Sequence, residues 1–388
     1  LVQTFLFTWP RPANFDPMKH PLLTLAAFIG IHYIALSQEP VPTIDQQRAF
    51  TNEIMLPTTP VKSQDNTGTC WGFATTSFIE SELMRNGKEP IDLSEMYIVW
   101  QVYMKKAEDY IRWEGKMNFG QGGLSHDQIT AVQQAGLMPQ DVFEGNRMDS
   151  TFDHTELETV SKAFLDALLS TDSELSPYWK QAYAGILDAY IGTRPQSFTY
   201  RNKSFTPTEF AERELRFNAD DYIEITSFTH HAFYKPFVLE IPDNFAKALY
   251  YNVPIDEFEE IADHALRNGY SVTWDGDVSE QGFRARTGIA DVEAPEEVTR
   301  MKMKQLQQQR QRSFDSKETT DDHLMHITGL ATGLNGRTFY LIKNSWGSDL
   351  GEGGYLYMSK EYFRLKTIAI MVHKDALPKS IAKKLGLS

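Results

Sequence analysis

The stretch VKSQDNTGTCWGFATTSFIESELMRNG, residues 61–87, holds Cys70, the one cysteine among 388 residues, with a tryptophan directly after it and an apolar pattern of helical spacing beyond. The spacing predicts a helix that starts at Cys70 and stops before Gly87. A sulfur at a helix N-terminus faces unpaired backbone N–H groups and the positive end of the helix dipole. Its pKa is therefore expected to fall and its thiolate fraction to rise. Such a thiol is a nucleophile awaiting a base. Just upstream, Gln64 offers a side-chain amide to an oxyanion, and Gly68 lets the backbone approach closely before the helix. Further helices are predicted around 94–111 and 125–135.

Working outward, the period changes near the other end of the chain. HLMHITGLATGLNGRTFYLIKNSWGSDLGEGGYLYMS, residues 323–359, has apolar runs at Met325–Leu330, Phe339–Ile342 and Tyr355–Met358, separated by Asn335-Gly336 and a glycine-rich turn. It reads as an antiparallel meander or barrel. His323 opens the first of these strands and Asn344 follows the second. A neutral amide on the second imidazole nitrogen fixes tautomer and orientation without adding charge. His326 is a rival base, but the His-x-Met pattern and the later Thr328-Gly329 favour His323.

In this order the stretches resemble the papain-like cysteine peptidases: Gln-x5-Cys-Trp in QDNTGTCW (64–71), HLM from His323, and NSWG (344–347) followed by GEGGY (351–355). Gly120-Gln121-Gly122-Gly123 is similar to the family's G-C-x-G-G, whose last glycines line the non-primed cleft. The closer likeness is to the bleomycin hydrolase (aminopeptidase C) branch. It rests on a long segment between Cys70 and His323, on the lack of disulfide cysteines, and on GTRPQSFTY (192–200), LYYNVPIDEF (249–258) and AIMVHKDALP (369–378). The resemblance spans about residues 43–385.

What it implies is an α+β, papain-like two-lobed fold, with a helical left lobe, an antiparallel β-barrel-like right lobe and a large, mainly helical insertion over about 140–320. By resemblance Cys70 is the nucleophile, His323 the general base and then acid, Asn344 the orienting residue, and Gln64 with the Cys70 N–H the oxyanion hole. Trp346 would shield the His–Asn bond, Gly122 and Gly123 would meet substrate, and Asp322 would tune the imidazolium or simply face water. Neither metal nor cofactor is implied, the substrates would be peptides, and the relatives' hexamer is a further expectation. Thr67 stands where papain has a disulfide cysteine, and Leu350 replaces a tryptophan common after NSWG. The branch carries an arm past the equivalent of Lys384 that lies in the cleft, whereas this sequence stops at Ser388. Aminopeptidase or oligopeptidase action is therefore set against an endopeptidase with an open cleft, an acyl or γ-glutamyl transferase, and a silent binding protein.

Composition narrows the field. With 52 acidic against 38 basic residues and a net charge of -14, the chain offers no surface for nucleic acid or a polybasic membrane anchor, while 41% hydrophobic residues supply a core. MKHPLLTLAAFIGIHYIALSQEP from Met18 has a basic start, an apolar stretch Leu22–Leu36 and a small-x-small ending, the layout of a signal peptide over 18–37. That predicts export to a periplasmic or extracellular space, with no stable membrane association after cleavage, and makes 1–17 an extension upstream of the true start. Residues 38–60 read as a linker and 61–388 as the peptidase domain. KMKQLQQQRQRSFDSKETTDD (302–322) reads as a mobile surface loop, the carboxylates of PIDEFEEIADHAL (254–266) as a solvated helix face, and the pairs His323/His326 and His230/His231 as no metal site. Asn202-Lys203-Ser204 is a glycosylation sequon that carries meaning only in a eukaryotic host.

Overall fold

A computed structural model of the protein describes residues 50–334 and 336–387, so the upstream extension, the signal peptide and most of the linker lie outside the described residues. β1 (Thr51–Met55) leads to α1 (Cys70–Arg85), α2 (Glu95–Arg112), α3 (Ser125–Ala135), α4 (Thr155–Leu169) and α5 (Trp179–Tyr190). A hairpin of β2 (Phe198–Tyr200) and β3 (Lys203–Phe205) precedes α6 (Pro207–Glu209), β4 (Tyr222–Thr226), β5 (Pro236–Val238), β6 (Leu249–Asn252), α7 (Ile255–Arg267) and β7 (Val272–Gly276). Then come β8 (Phe283–Arg284), β9 (Ile289–Ala290), α8 (Pro295–Arg300) and α9 (Met303–Asp315). The chain ends with β10 (His323–Thr332), β11 (Thr338–Lys343), β12 (Tyr355–Ser359), α10 (Lys360–Lys366), β13 (Thr367–His373) and α11 (Lys379–Leu385).

α1 is the axle of the fold. It is buried from Cys70 to Leu83, so it must satisfy polar side chains as well as apolar ones. Glu80 accepts from the Leu93 N–H (2.8 Å) and the Thr59 hydroxyl, and Ser77 bonds His326 of β10 (2.9 Å). α2 starts where Ser94 accepts the Tyr97 N–H. The main sheet runs β5-β6-β4-β13-β7-β10-β11-β12-β9-β8, with β1 added on β10. Most neighbours are antiparallel; β4–β6 and β9–β12 run parallel. One apolar core surrounds α1, α2 and α3, and a second fills the far face of the sheet beneath α7 and α9. The architecture is α+β and papain-like, a helical half against a β half.

Several expectations need correction. The end of the predicted linker is a strand, β1, paired with β10 from Thr51↔Thr332 to Met55↔Gly329. The segment 140–320 is more helix than strand, as expected, but it also supplies β2 through β9, and β7 lies in the sheet between β13 and β10. Strands this short carry too little alternation to be read alone. The supposed mobile loop is largely α9, whose Leu306, Gln307, Arg310, Gln311 and Ser313 are buried. Arg310 donates to the carbonyls of Ser227 (2.8 Å), Arg364 and Ile368 (3.3 Å each), so the buried face of this helix is polar and its hydrophobic period is silent. On α7, Asp256 and Glu260 face water as expected, but Glu259 and Asp263 instead bind Arg364 and Lys360 of α10.

Candidate active site

Cys70 is the first residue of α1 and His323 the first of β10, and the two elements pack together. The backbone N–H groups of Leu324, the residue next to His323, and of Trp71 lie near enough to the Cys70 sulfur to favour its thiolate. Cys70 is only 8% exposed. Burial pushes its thiol up to about 12; the Leu324 N–H pulls against this, and the charges of Asp321 and Asp243 add to the rise. The lowered pKa expected from the helix terminus is thus overturned, because loss of water around a thiolate outweighs the dipole. Burial likewise takes His323 down to about 4, against the opposing pulls of Asn344 and Asp322. Burial thus opposes the thiolate at Cys70 and the imidazolium at His323.

His323 Nε2 lies 2.8 Å from Asn344 Oδ1, which also accepts the Ser345 N–H at 2.8 Å. An oxygen already receiving one N–H must be an acceptor for the ring too. Nε2 therefore carries the hydrogen and Nδ1 keeps its lone pair. The Trp346 ring covers the imidazole at 4.5 Å between centroids, and Phe283 braces Trp346 edge-on at 5.9 Å. Asp322 is exposed; it accepts from the Thr320 hydroxyl (2.7 Å) and the Val278 and Ser279 N–H groups (3.3 Å each). His326 stands at Ser77, away from this pair.

Gln64 is held to Ser345 twice, N–H to carbonyl at 2.8 Å and Oε1 to hydroxyl at 2.7 Å. Its Nε2 donates to Thr67 O at 2.6 Å, which engages one of its two amide hydrogens within its own loop. The glycine strip lies against this loop: Gln121 accepts the Gly68 N–H (2.8 Å) through Oε1 and the Trp71 indole N–H (3.0 Å) through its carbonyl. A Cβ on Gly123 would stand 3.0 Å from the Trp71 indole, and one on Gly122 would overlap the Asp243 carboxylate. Sequence reasoning missed Lys106, 1% exposed, whose ammonium donates to the carbonyls of Gly120 (3.1 Å) and Gly122 and props the strip from behind. It also missed Asp243, Asp275 and Asp321. No motif marks these; only the strand register and one turn bring them near Cys70. Elsewhere, His230 and His231 share Glu240 (3.1 and 2.7 Å), their ligand atoms lying within 4.8 Å of one another.

A helical half and a β half meeting at a cysteine and a histidine make this a papain-like cysteine peptidase. The profile of the Peptidase C1-like family matches residues 193–387 and that of the Papain family cysteine protease residues 45–144, and the chain belongs to the Peptidase C1-like family, in its bleomycin hydrolase and aminopeptidase C branch. It is similar to Aminopeptidase G of Lactobacillus delbrueckii subsp. lactis (24% identical, covering 94% of this chain and 92% of that one). Bleomycin hydrolase of Homo sapiens is 22% identical over 86% of this chain and 84% of its own. Among solved structures, PepW from Lactobacillus rhamnosis HN001 matches with a TM-score of 0.69 at 20% identity, covering 87% of this chain and 84% of that one.

Proposed function

We propose that the protein is an exported aminopeptidase that hydrolyses peptides through Cys70, His323 and Asn344. The observation that carries this is the His323–Asn344 bond at 2.8 Å on a strand, β10, that packs against the helix Cys70 opens. The relatives bearing the names aminopeptidase G and aminopeptidase C support the exopeptidase mode. Nδ1 of His323 takes the thiol proton as sulfur attacks the scissile carbonyl, and the tetrahedral oxyanion is met by the free amide hydrogen of Gln64 and the Cys70 N–H. The imidazolium gives its proton to the departing amine, leaving a thioester. Water, deprotonated by the same ring, then releases the acid and restores the thiol.

The test is a peptide library digested with wild type and Cys70→Ser and read by mass spectrometry. Stepwise loss of N-terminal residues by wild type alone is expected. Cutting by Cys70→Ser would remove the proposed nucleophile, internal cuts would make the enzyme an endopeptidase, and capture of added amines would make it a transferase. Export is checked by fractionating cells that express the full chain: a mature N-terminus near Gln38 in the exported fraction is expected, and an uncut cytosolic product would refute it.

A further inference from the structure

Beside Cys70 lie three carboxylates that form no salt bridge among the described residues. Asp243 sits on a turn that Asn244 pins by donating to the carbonyls of Leu239 (3.0 Å) and Ala248 (3.1 Å) and by accepting the Ala248 N–H (2.8 Å). One Asp243 oxygen takes the Asn118 amide at 2.8 Å; the other presses on Gly122, where only a glycine leaves room. Asp275, on β7, is 4% exposed, and neither of its oxygens meets a hydrogen-bond donor. Its strand partner is Leu324, the residue next to His323. Thr273, two residues earlier on the same face, bonds Ser125 at the start of α3, so this face of β7 looks toward the helical half. The Asp321 carboxyl faces Asp275, two residues before His323, and its Oδ2 also lacks a donor.

Neighbouring charges are already matched. Glu224 has His126 at 2.7 Å, Asp127 takes the Leu124 N–H at 2.9 Å, and the Lys106 ammonium, though near enough to feel Asp243, donates to glycine carbonyls instead of pairing with a carboxylate. Among the described residues no lysine, arginine or histidine forms an ion pair with Asp243, Asp275 or Asp321. Buried carboxylates without donors are costly unless a proton or a cation neutralises them. Burial indeed pushes Asp321 up to about 7 and Asp275 well above the usual carboxylate range, with the charge of Asp321 adding to the rise at Asp275.

We propose that Asp243, Asp275 and Asp321 form a binding site for the ammonium group of a peptide substrate. The proposal rests on the peptidase reading and supplies its specificity. In an N-terminal residue the α-nitrogen lies about 2.5 Å from its own carbonyl carbon, two bonds away. An anion that holds this nitrogen must therefore sit beside the nucleophile, where the charges of Asp321 and Asp243 are felt by the Cys70 sulfur. The Asp243 turn also stands on the glycine strip, where a longer peptide would have to continue. A blocked amine would bring bulk and no charge, leaving the carboxylates desolvated and unpaired.

The probe is L-leucine amide, titrated calorimetrically at pH 7.5 into Cys70→Ser, which binds without turnover. Saturable binding is expected, with N-acetyl-leucine amide at least tenfold weaker, and with Asp243→Asn or Asp321→Asn added to Cys70→Ser erasing the difference. N-acetyl-lysine amide distinguishes the source of the ammonium: binding that depends on Asp243 would assign the site to a basic side chain rather than the α-amine. Leucine amide binding that ignores both substitutions overturns the site. In the active enzyme, Asp243→Asn should cut the ratio of kcat/KM on leucyl-aminomethylcoumarin to that on the acetylated substrate at least tenfold. If wild type cleaves neither while the amide binds as described, the peptidase reading falls and the site stands. Cleavage with an unchanged free-amine preference in Asp243→Asn does the reverse.

Discussion

Raising the pH should loosen the helical half from the sheet, because a buried ion pair joins them next to the site. His126, the second residue of α3, sets Nδ1 2.7 Å from Glu224 Oε2 on β4, with Asp127 Oδ1 3.4 Å from Nε2 and the Tyr250 ring edge-on at 5.9 Å. Burial pulls the imidazolium down, but Glu224 and Asp127 outweigh it and hold the pKa at about 9. An unfolded histidine titrates near 6.5, so folding favours the protonated ring by roughly 3 kcal/mol at most. Burial raises Asp127 as well and takes back part of this. A raised folded pKa stabilises fully below about pH 6.5, and its contribution is lost as the pH climbs through about 9. For a chain of this length that is a melting shift of at most roughly 4 °C. Calorimetric melts of wild type and Glu224→Gln at pH 6, 7.5 and 9.5 isolate the pair, since every other titration cancels in the difference. The gap should be widest at pH 6 and nearly closed at 9.5. A gap of equal size at all three would refute the reasoning.

Gly329 of β10 faces β1, and a Cβ there would overlap the Ile54 carbonyl oxygen, backbone that cannot swing aside; Gly329→Ala should cost about 2–4 kcal/mol in urea unfolding. Arg310→Ala should cost about 3 kcal/mol in the same assay, because the carbonyls of Ser227, Arg364 and Ile368 lose a buried donor. With the Cys70 thiol at about 12 and His323 at about 4, alkylation by iodoacetamide in the absence of substrate should be slow at pH 5 and rise steadily with pH to beyond 9. A rate that is already level at pH 5–8 would mean a standing thiolate.

The legible parts were those in which sequence spacing and physical cause coincide. α1, α2 and α3 begin and end close to where apolar period, Ser94 and Gly136 said they would, and the three apolar runs after His323 became β10, β11 and β12. His323 and Asn344 could be singled out because an imidazole and an amide at consecutive strand ends meet when the strands pair. α9 was illegible for a physical reason: Arg310, Gln307 and Gln311 bury a polar face against carbonyls and amides of the Ser227–Thr229 stretch, so no hydrophobic signal exists to read. β7 is five residues long, and its place in the sheet depends on partners far away in sequence. The same holds for Asp275, which acquires meaning only from register, and for Asp243, which a turn brings against Gly122.

The Cys70 thiol shows how a correct local argument can lose on magnitude. A helix N-terminus is worth about 0.3–1 kcal/mol to a charge on its axis, rising to about 2 in a partly buried setting. Moving a thiol from its ordinary value of 9.0 to about 12 corresponds to roughly 4 kcal/mol against the thiolate, after the Leu324 and Trp71 N–H groups have already helped it. Sequence exposes the first quantity and hides the second, since burial of Cys70 is made by β10 and by the Gly120–Gly123 strip pressed on Trp71, far along the chain. On the proposed reading the loss is also a safeguard. A sulfur that stays protonated until a carbonyl arrives, with a lone pair on His323 Nδ1 ready to take the proton, is a poor target for stray electrophiles and spends its nucleophilicity only where an oxyanion can be held.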